Sequence, residues 1–391
     1  MSSGIMLRIV KFFAVILLIA IIVFFGYGSA FFEKSSNTVT LKTTHVKGNS
    51  WYDSIEFIGD LHCDALLWNR DLNVRHNYGH VDIPRMQDAN MALQVFTVVS
   101  KTPRGINIEQ NSDNTDNVAI LSLAQLQPWI NWFSIKKRAL WQCNQLYKYA
   151  EKSNGNFRVI NSQKSLQQFI NDRKLNKQLT AGILGLEGAH CLEDSLSSLN
   201  EFYKAGVRYI GLTHFFDNEW AGSAHGMVKG GLTAKGIQLV HQMQEMHMII
   251  DLAHASPKTI DDVLANTTSP ILISHTGIKA VCDNRRNLSD AHLIEIGKRN
   301  GLVGIGLWET AVCGTDADAT ARSIRYVADK IGVDKVALGS DFDGAIKTHF
   351  DVTGLPLIAA ALENQHFTRA EIELIMGGNM RNFFLKNLAV E

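Results

Sequence analysis

The sequence is short of proline and cysteine, with six prolines and five cysteines in 391 residues. So few prolines exclude a collagen-like or proline-rich chain. The cysteines are scattered and odd in number, so no disulfide framework is expected, and no Cys-x-x-Cys pair offers a structural zinc site. Net charge is missing as well: 38 Lys and Arg balance 38 Asp and Glu. A nucleic-acid partner is therefore not expected, since such binders draw affinity from a basic excess. No Gly-x-Gly-x-x-Gly follows the first strand-like run, and the body has no internal repeat. What is present is a chain apolar enough for a large core, at 46% hydrophobic and 19% charged, and fourteen histidines.

One long hydrophobic run stands apart. Residues 12–32 (FFAVILLIAIIVFFGYGSAFF) contain no charge. As a helix they measure about 31 Å, enough to cross a hydrocarbon core of roughly 30 Å. Arg8 and Lys11 precede the run, whereas Glu33 and Lys34 follow it and cancel. The positive-inside rule then keeps the N-terminus cytoplasmic and exports the rest, to the periplasmic or extracellular side. A cleaved signal peptide is the alternative, with Gly28-Ser29-Ala30 as a small-residue cleavage site and a secreted product. The expected organisation is an anchor or signal over residues 1–32, a polar linker over 33–50, and one main domain over 51–391.

In that domain eight short apolar runs recur between amphipathic stretches: 57–64, 92–100, 181–187, 209–214, 248–254, 271–275, 302–307 and 336–341. Continuous apolar runs of this length fit strands covered on both faces, hence a parallel sheet. Eight strand–helix alternations are the pattern of a (β/α)8 barrel of the TIM type. Residues 101–180 are long for one connection and should carry extra helices over 117–126 and 134–151.

The chemistry sits where these runs end. They close on His62-Cys63-Asp64, Glu187, His214, His254, His275 and Asp341. In a parallel barrel all strand C-termini open at one mouth, so groups more than 200 residues apart converge. His62 and Asp64, two apart on a strand, point to one side and can reach one metal together. His254 and His275 add two imidazoles, and Glu187 has two oxygens with which to bridge ions. This ligand set suits zinc, and paired ions make a hydroxide at neutral pH. Asp341 is positioned to move the proton to a leaving amine. Arg285 and Arg286, beyond His275, are candidates to clamp a substrate carboxylate. Cys63 should face the opposite way and pack, and Asp343 is read as stabilising its loop. His76, His80, His190, His225, His241, His247, His292, His349 and His366 are read as structural or surface groups.

The segments DLHCDALLW, GHVDIPRM, GLEGAH, VRYIGLTHFFDNEWA, DLAHAS, ISHTG, VCDNRRN, ALGSDFDG and GGNMRNF, in this order, resemble the renal (membrane) dipeptidase family of the metal-dependent amidohydrolase superfamily. The resemblance implies a barrel with two zinc ions per chain that hydrolyses dipeptides by a metal-bridging hydroxide. It implies that His62 and Asp64 bind one zinc, that His254 and His275 bind the other, and that Glu187 bridges. It further implies His214 on the substrate and the tetrahedral intermediate, Arg286 and less clearly Arg285 on the substrate carboxylate, and Asp341 as acid/base. Family members accept a C-terminal residue of L or D configuration, some hydrolyse β-lactams, and a homodimer is expected by analogy. Two departures from mammalian members stand out: an N-terminal hydrophobic segment replaces the C-terminal lipid anchor, and the cysteines do not suggest their disulfide arrangement.

Two rival readings remain at this level. Another amidohydrolase reaction, such as deamination, is disfavoured by His62-x-Asp64 where deaminases carry His-x-His. A non-catalytic, membrane-tethered binding module should have lost a ligand or Asp341, and none is missing.

Overall fold

Short runs of Val, Ile, Leu and Ala become strands here because both of their faces are covered. A computed structural model describes residues 3–41, 48 and 50–391. The barrel strands are β1 Ile58–Cys63, β2 Met91–Val99, β3 Thr180–Glu187, β4 Val207–Gly211, β5 Ile249–Asp251, β6 Ile271–Thr276, β7 Leu302–Ile305 and β8 Val336–Leu338. Every residue in them is buried, as a parallel sheet wrapped in helices requires. Each pairs in parallel with its successor, for instance Leu93 with Ala181 and Tyr209 with Ile249. The ring closes between first and last strands. Cys63 bridges Phe342, and the Asp60 carboxylate accepts from the Ser340 backbone N–H and hydroxyl, both at 2.7 Å.

All eight expected strands are present, each within a few residues of its apolar run. The helices between them start on side-chain caps: Thr233 for Ala234–Glu245, Ser256 for Pro257–Asn266, Ser289 for Asp290–Lys298 and Asp316 for Ala317–Ile331. The long connection after β2 carries helices Asn117–Ala124 and Ile135–Lys152, as its length suggested, and also Gln163–Leu175. It adds a three-residue strand, Phe157–Val159, beside Thr180–Gly182, filling the edge of β3 that β4 takes over from Leu184.

The N-terminal run is helical from Ser3 to Ser36, with one π turn at Phe24–Gly28. Over Gly4–Ser36 it is long and apolar enough to cross a membrane, and no residue of its most apolar window is buried.

One expectation needs correction. The first part of the expected linker is docked on the barrel instead of free. Glu33 is buried in an ion pair with Arg70, Thr38–Val39 pairs in parallel with Lys347–Thr348, and Asn37 Oδ1 accepts from Ala345 N at 2.9 Å. A two-residue strand is too short to leave a periodic signal. Residues 42–47 and 49 of that linker lie outside the described residues.

The cysteines form no framework, and their pairing, which the sequence leaves open, is one disulfide among the described residues, between Cys282 and Cys313. They stand 31 residues apart, in the loops after β6 and β7, and meet only because those strands are neighbours. Cys63, Cys143 and Cys191 are free and buried, and Cys63 is packed in the core as expected.

Candidate active site

The residues at the strand ends converge on Glu187. Its Oε1 lies 3.4 Å from His62 Nε2, 3.2 Å from His254 Nε2 and 3.5 Å from His275 Nε2. Its Oε2 lies 3.3 Å from His214 Nε2. His62 Nε2 is also 3.4 Å from Asp64 Oδ1 and 3.9 Å from Asp341 Oδ1. Three overlapping groups are close enough to hold a cation: His62, Glu187 and His275; Glu187, His214 and His254; and His62, Asp64 and Asp341. Residues from six strand ends thus meet in one place, because the parallel ring aims every strand end at the same mouth.

Local backbone and neighbouring hydroxyls set the side-chain directions. His254 and Asp341 sit in the left-handed region, at φ 62° and 61°, where a non-glycine residue is held by its surroundings at some cost. Behind the imidazoles, Ser274 Oγ contacts His62 Nδ1 at 3.2 Å and His275 Nδ1 at 2.9 Å, and donates to Asp251 Oδ2 at 2.6 Å. Thr97 Oγ1 donates to Asp64 Oδ1 and lies 2.9 Å from the Cys63 carbonyl oxygen. Sequence reasoning did not single out Ser274, Asp251 or Thr97. Ser274 directly precedes His275, and Asp251 stands three residues before His254 at the same strand end.

The electrostatics suit cations. Burial pushes the Glu187 carboxyl well up, with the Asp64 charge adding to it. Burial likewise pushes Asp341 up to about 8, against the pull of His62 and Arg286. At His62 burial opposes protonation, but Glu187, Asp64 and Asp341 together outweigh it and push the imidazole up to about 10. Burial holds His214, His254 and His275 well below the usual range, so these rings are neutral and their lone pairs free for coordination. His254 Nε2 and His275 Nε2 face each other at 2.9 Å, and Glu187 Oε2 is buried without a hydrogen-bond donor. Three buried carboxylates beside neutral imidazoles are a donor set that divalent metals fit.

A cavity of about 570 Å³ opens over this cluster, lined among others by Asp64, Glu187, His214, His254, Arg286 and Asp341. Arg286 is buried, held by the His275 carbonyl at 2.7 Å and lying over Trp308. Burial lowers its pKa to about 10, which leaves it charged at neutral pH. Arg285 is not brought into this cavity: it is exposed and pairs with Glu109 at 2.7 Å. Asp343 faces away, ion-paired to Arg70 and accepting from the His80 and Val81 backbone. His225, read from the sequence as structural or surface, is buried and also lines the cavity, with Nδ1 bonded to the Ile108 carbonyl at 2.9 Å.

A parallel barrel whose mouth gathers four imidazoles and three carboxylates has the architecture of a metal-dependent hydrolase. Residues 55–386 match the membrane dipeptidase family (peptidase family M19), and the chain belongs to that family of metallopeptidases, as a dipeptidase enzyme. An uncharacterized dipeptidase of Schizosaccharomyces pombe is 28% identical over 320 residues, 78% of this chain and 72% of that protein. A dipeptidase of Claviceps purpurea is 27% identical over 342 residues, 85% of this chain and 74% of that one. Among solved structures, a Rhodobacter sphaeroides metallopeptidase liganded with a phosphinate mimic of L-Ala-D-Ala shares the fold. It superposes with a TM-score of 0.71 at 23% identity, over 85% of this chain and 99% of that one.

Proposed function

We propose that this chain hydrolyses dipeptides with two zinc ions, His62 and Asp64 holding one, His254 and His275 the other, and Glu187 both. The observation that carries this reading is the position of Glu187, with one oxygen within 3.5 Å of three imidazole nitrogens and the other 3.3 Å from a fourth. Bound there, the zinc ions would supply Lewis acidity and a water acidic enough to attack at neutral pH.

The chain's own residues do the rest. Arg286 holds the C-terminal carboxylate of the substrate by a charge-assisted pair and so sets its direction. His214, neutral, donates a hydrogen bond to the carbonyl oxygen as that oxygen gains charge. Asp341 takes the proton of the attacking water and returns it to the departing amine. Arg285, paired outside the cavity, has no part in this account.

The apolar helix is proposed as an uncleaved anchor with the barrel exported. The Cys282–Cys313 disulfide supports an oxidising compartment for the barrel.

Metal counting on purified protein tests the assignment. About two zinc ions per chain are expected in the wild type, and fewer than one in Glu187→Gln, because a shared ligand is lost to both. One tightly held ion in each protein would refute the bridging role.

A further inference from the structure

The cavity is much larger than the metal cluster needs, and its two sides differ. In the ring order, β6 stands four strands from β2 and so on the opposite side of the mouth. Arg286 follows β6 and Trp308 follows β7. Across the mouth from β6, the helix Asn117–Ala124 after β2 supplies Ile120 and Leu121; the loops after β1 and β8, between that side and Trp308, supply Trp68 and Ile346, and the end of the N-terminal helix supplies Phe32. Apart from Asp64 and Asp341 at the cluster itself, the cavity-lining residues from these loops and helices carry no charge.

A dipeptide is a directional object on this scale. Two extended residues span roughly 7 Å. With its carboxylate on Arg286 and its scissile carbonyl over Glu187, its first residue must lie toward the opposite wall. A volume of about 570 Å³ falls in the range of roughly 300–1,000 Å³ that encloses drug-sized ligands, well beyond a pair of small residues. An uncharged, mainly apolar wall offers no partner to a charged side chain and would desolvate it at a cost. The same wall rewards burial of a large apolar one.

We infer that the Trp68–Ile120–Ile346 side of the cavity is the pocket for the side chain of the substrate's first residue, and that it selects large apolar side chains. The helix leading out of the apolar N-terminal segment is part of this pocket through Phe32, so the segment that tethers the protein also shapes its specificity. The inference rests on the proposed role of Arg286 and adds to it the substrate class.

The test is a dipeptide series on the zinc-loaded full chain, varying the first residue before Ala (Gly, Ala, Leu, Phe, Glu, Lys) and then the second residue after Ala. Phe-Ala and Leu-Ala should exceed Gly-Ala in kcat/KM by about 10-fold or more, the discrimination that apolar pockets reach, with Glu-Ala and Lys-Ala below Gly-Ala. Ile120 is 42% exposed, so Ile120→Asn should fold, and it should cut the Phe-Ala to Gly-Ala ratio severalfold. Turnover indifferent to the first residue, or a gain that follows the second residue instead, overturns the pocket while leaving the dipeptidase reading intact. No turnover of any member of the panel overturns both.

Discussion

Ser274 donates its only hydroxyl proton to Asp251 Oδ2, 2.6 Å away, and that bond fixes how two site histidines are protonated. With the proton committed, the hydroxyl can only accept from His62 Nδ1 and His275 Nδ1. Both rings therefore carry hydrogen on Nδ1 and turn Nε2 toward Glu187. Replacing Ser274 by Ala removes that control over tautomer and ring orientation. Zinc affinity should fall about 10- to 100-fold, as it does when such outer partners are lost, measured by competition with a chelating dye. Unchanged affinity would mean that packing alone orients the rings.

Asp341 stands close enough to the cluster to act either as a ligand or as a proton carrier. Its proposed part is to carry the proton. Asp341→Asn should keep both zinc ions and lose about 100- to 10,000-fold in kcat. Loss of an ion from the variant, by metal analysis, would make Asp341 a ligand instead.

The loop that carries Arg286 is stapled at its base by Cys282–Cys313 and braced by Asn284, whose Nδ2 donates to the Thr310 carbonyl at 2.7 Å and whose Oδ1 accepts from Arg286 N at 2.9 Å. The paired variant Cys282→Ser/Cys313→Ser should raise KM for dipeptides while changing kcat less, because the role proposed for Arg286 is to bind substrate and not to move a proton. Arg286→Met should raise KM further. A fall in kcat at constant KM in both would place Arg286 in the chemical step.

His349, 2% exposed and bonded to Thr320 Oγ1 at 3.2 Å, gives a pH prediction outside the metal site. Burial lowers its pKa to about 4. Below pH 6.5 the unfolded chain binds a proton that the native protein refuses until about pH 4. The unfolded state then holds more protons, so stability falls as pH falls. At pH 5 the loss from this group is about 2 kcal/mol. Urea unfolding of metal-free protein at pH 7.5 and pH 5 should show a drop smaller by about that amount in His349→Gln. Equal drops would mean that His349 is already protonated in the native state.

The barrel was legible because its strands are buried on both faces, which leaves unbroken apolar runs such as ILISH and LVGIGL. The convergence of the polar residues at the mouth was legible for a related reason: polar groups at the ends of parallel strands have one shared mouth to enter. What escaped depends on neighbours distant in sequence. Ser274 and Asp251 look like ordinary strand-end polar residues until the rings of His62 and His275 stand beside them. Cys282 and Cys313 pair only through the adjacency of β6 and β7. Glu33 looks like a solvated charge after an apolar helix until Arg70 meets it. Arg285 and Arg286 are adjacent and alike in type, and the turn at Asn284 sends Arg286 into the cavity and Arg285 to Glu109.

The central claim is that two metal ions held around Glu187 make this barrel a dipeptidase, and titrating metal-stripped protein with zinc while following Phe-Ala hydrolysis tests it most directly. Activity should be absent without metal, rise with added zinc and reach its plateau at two equivalents per chain. A plateau at one equivalent, or turnover that persists in fully stripped protein, would contradict it.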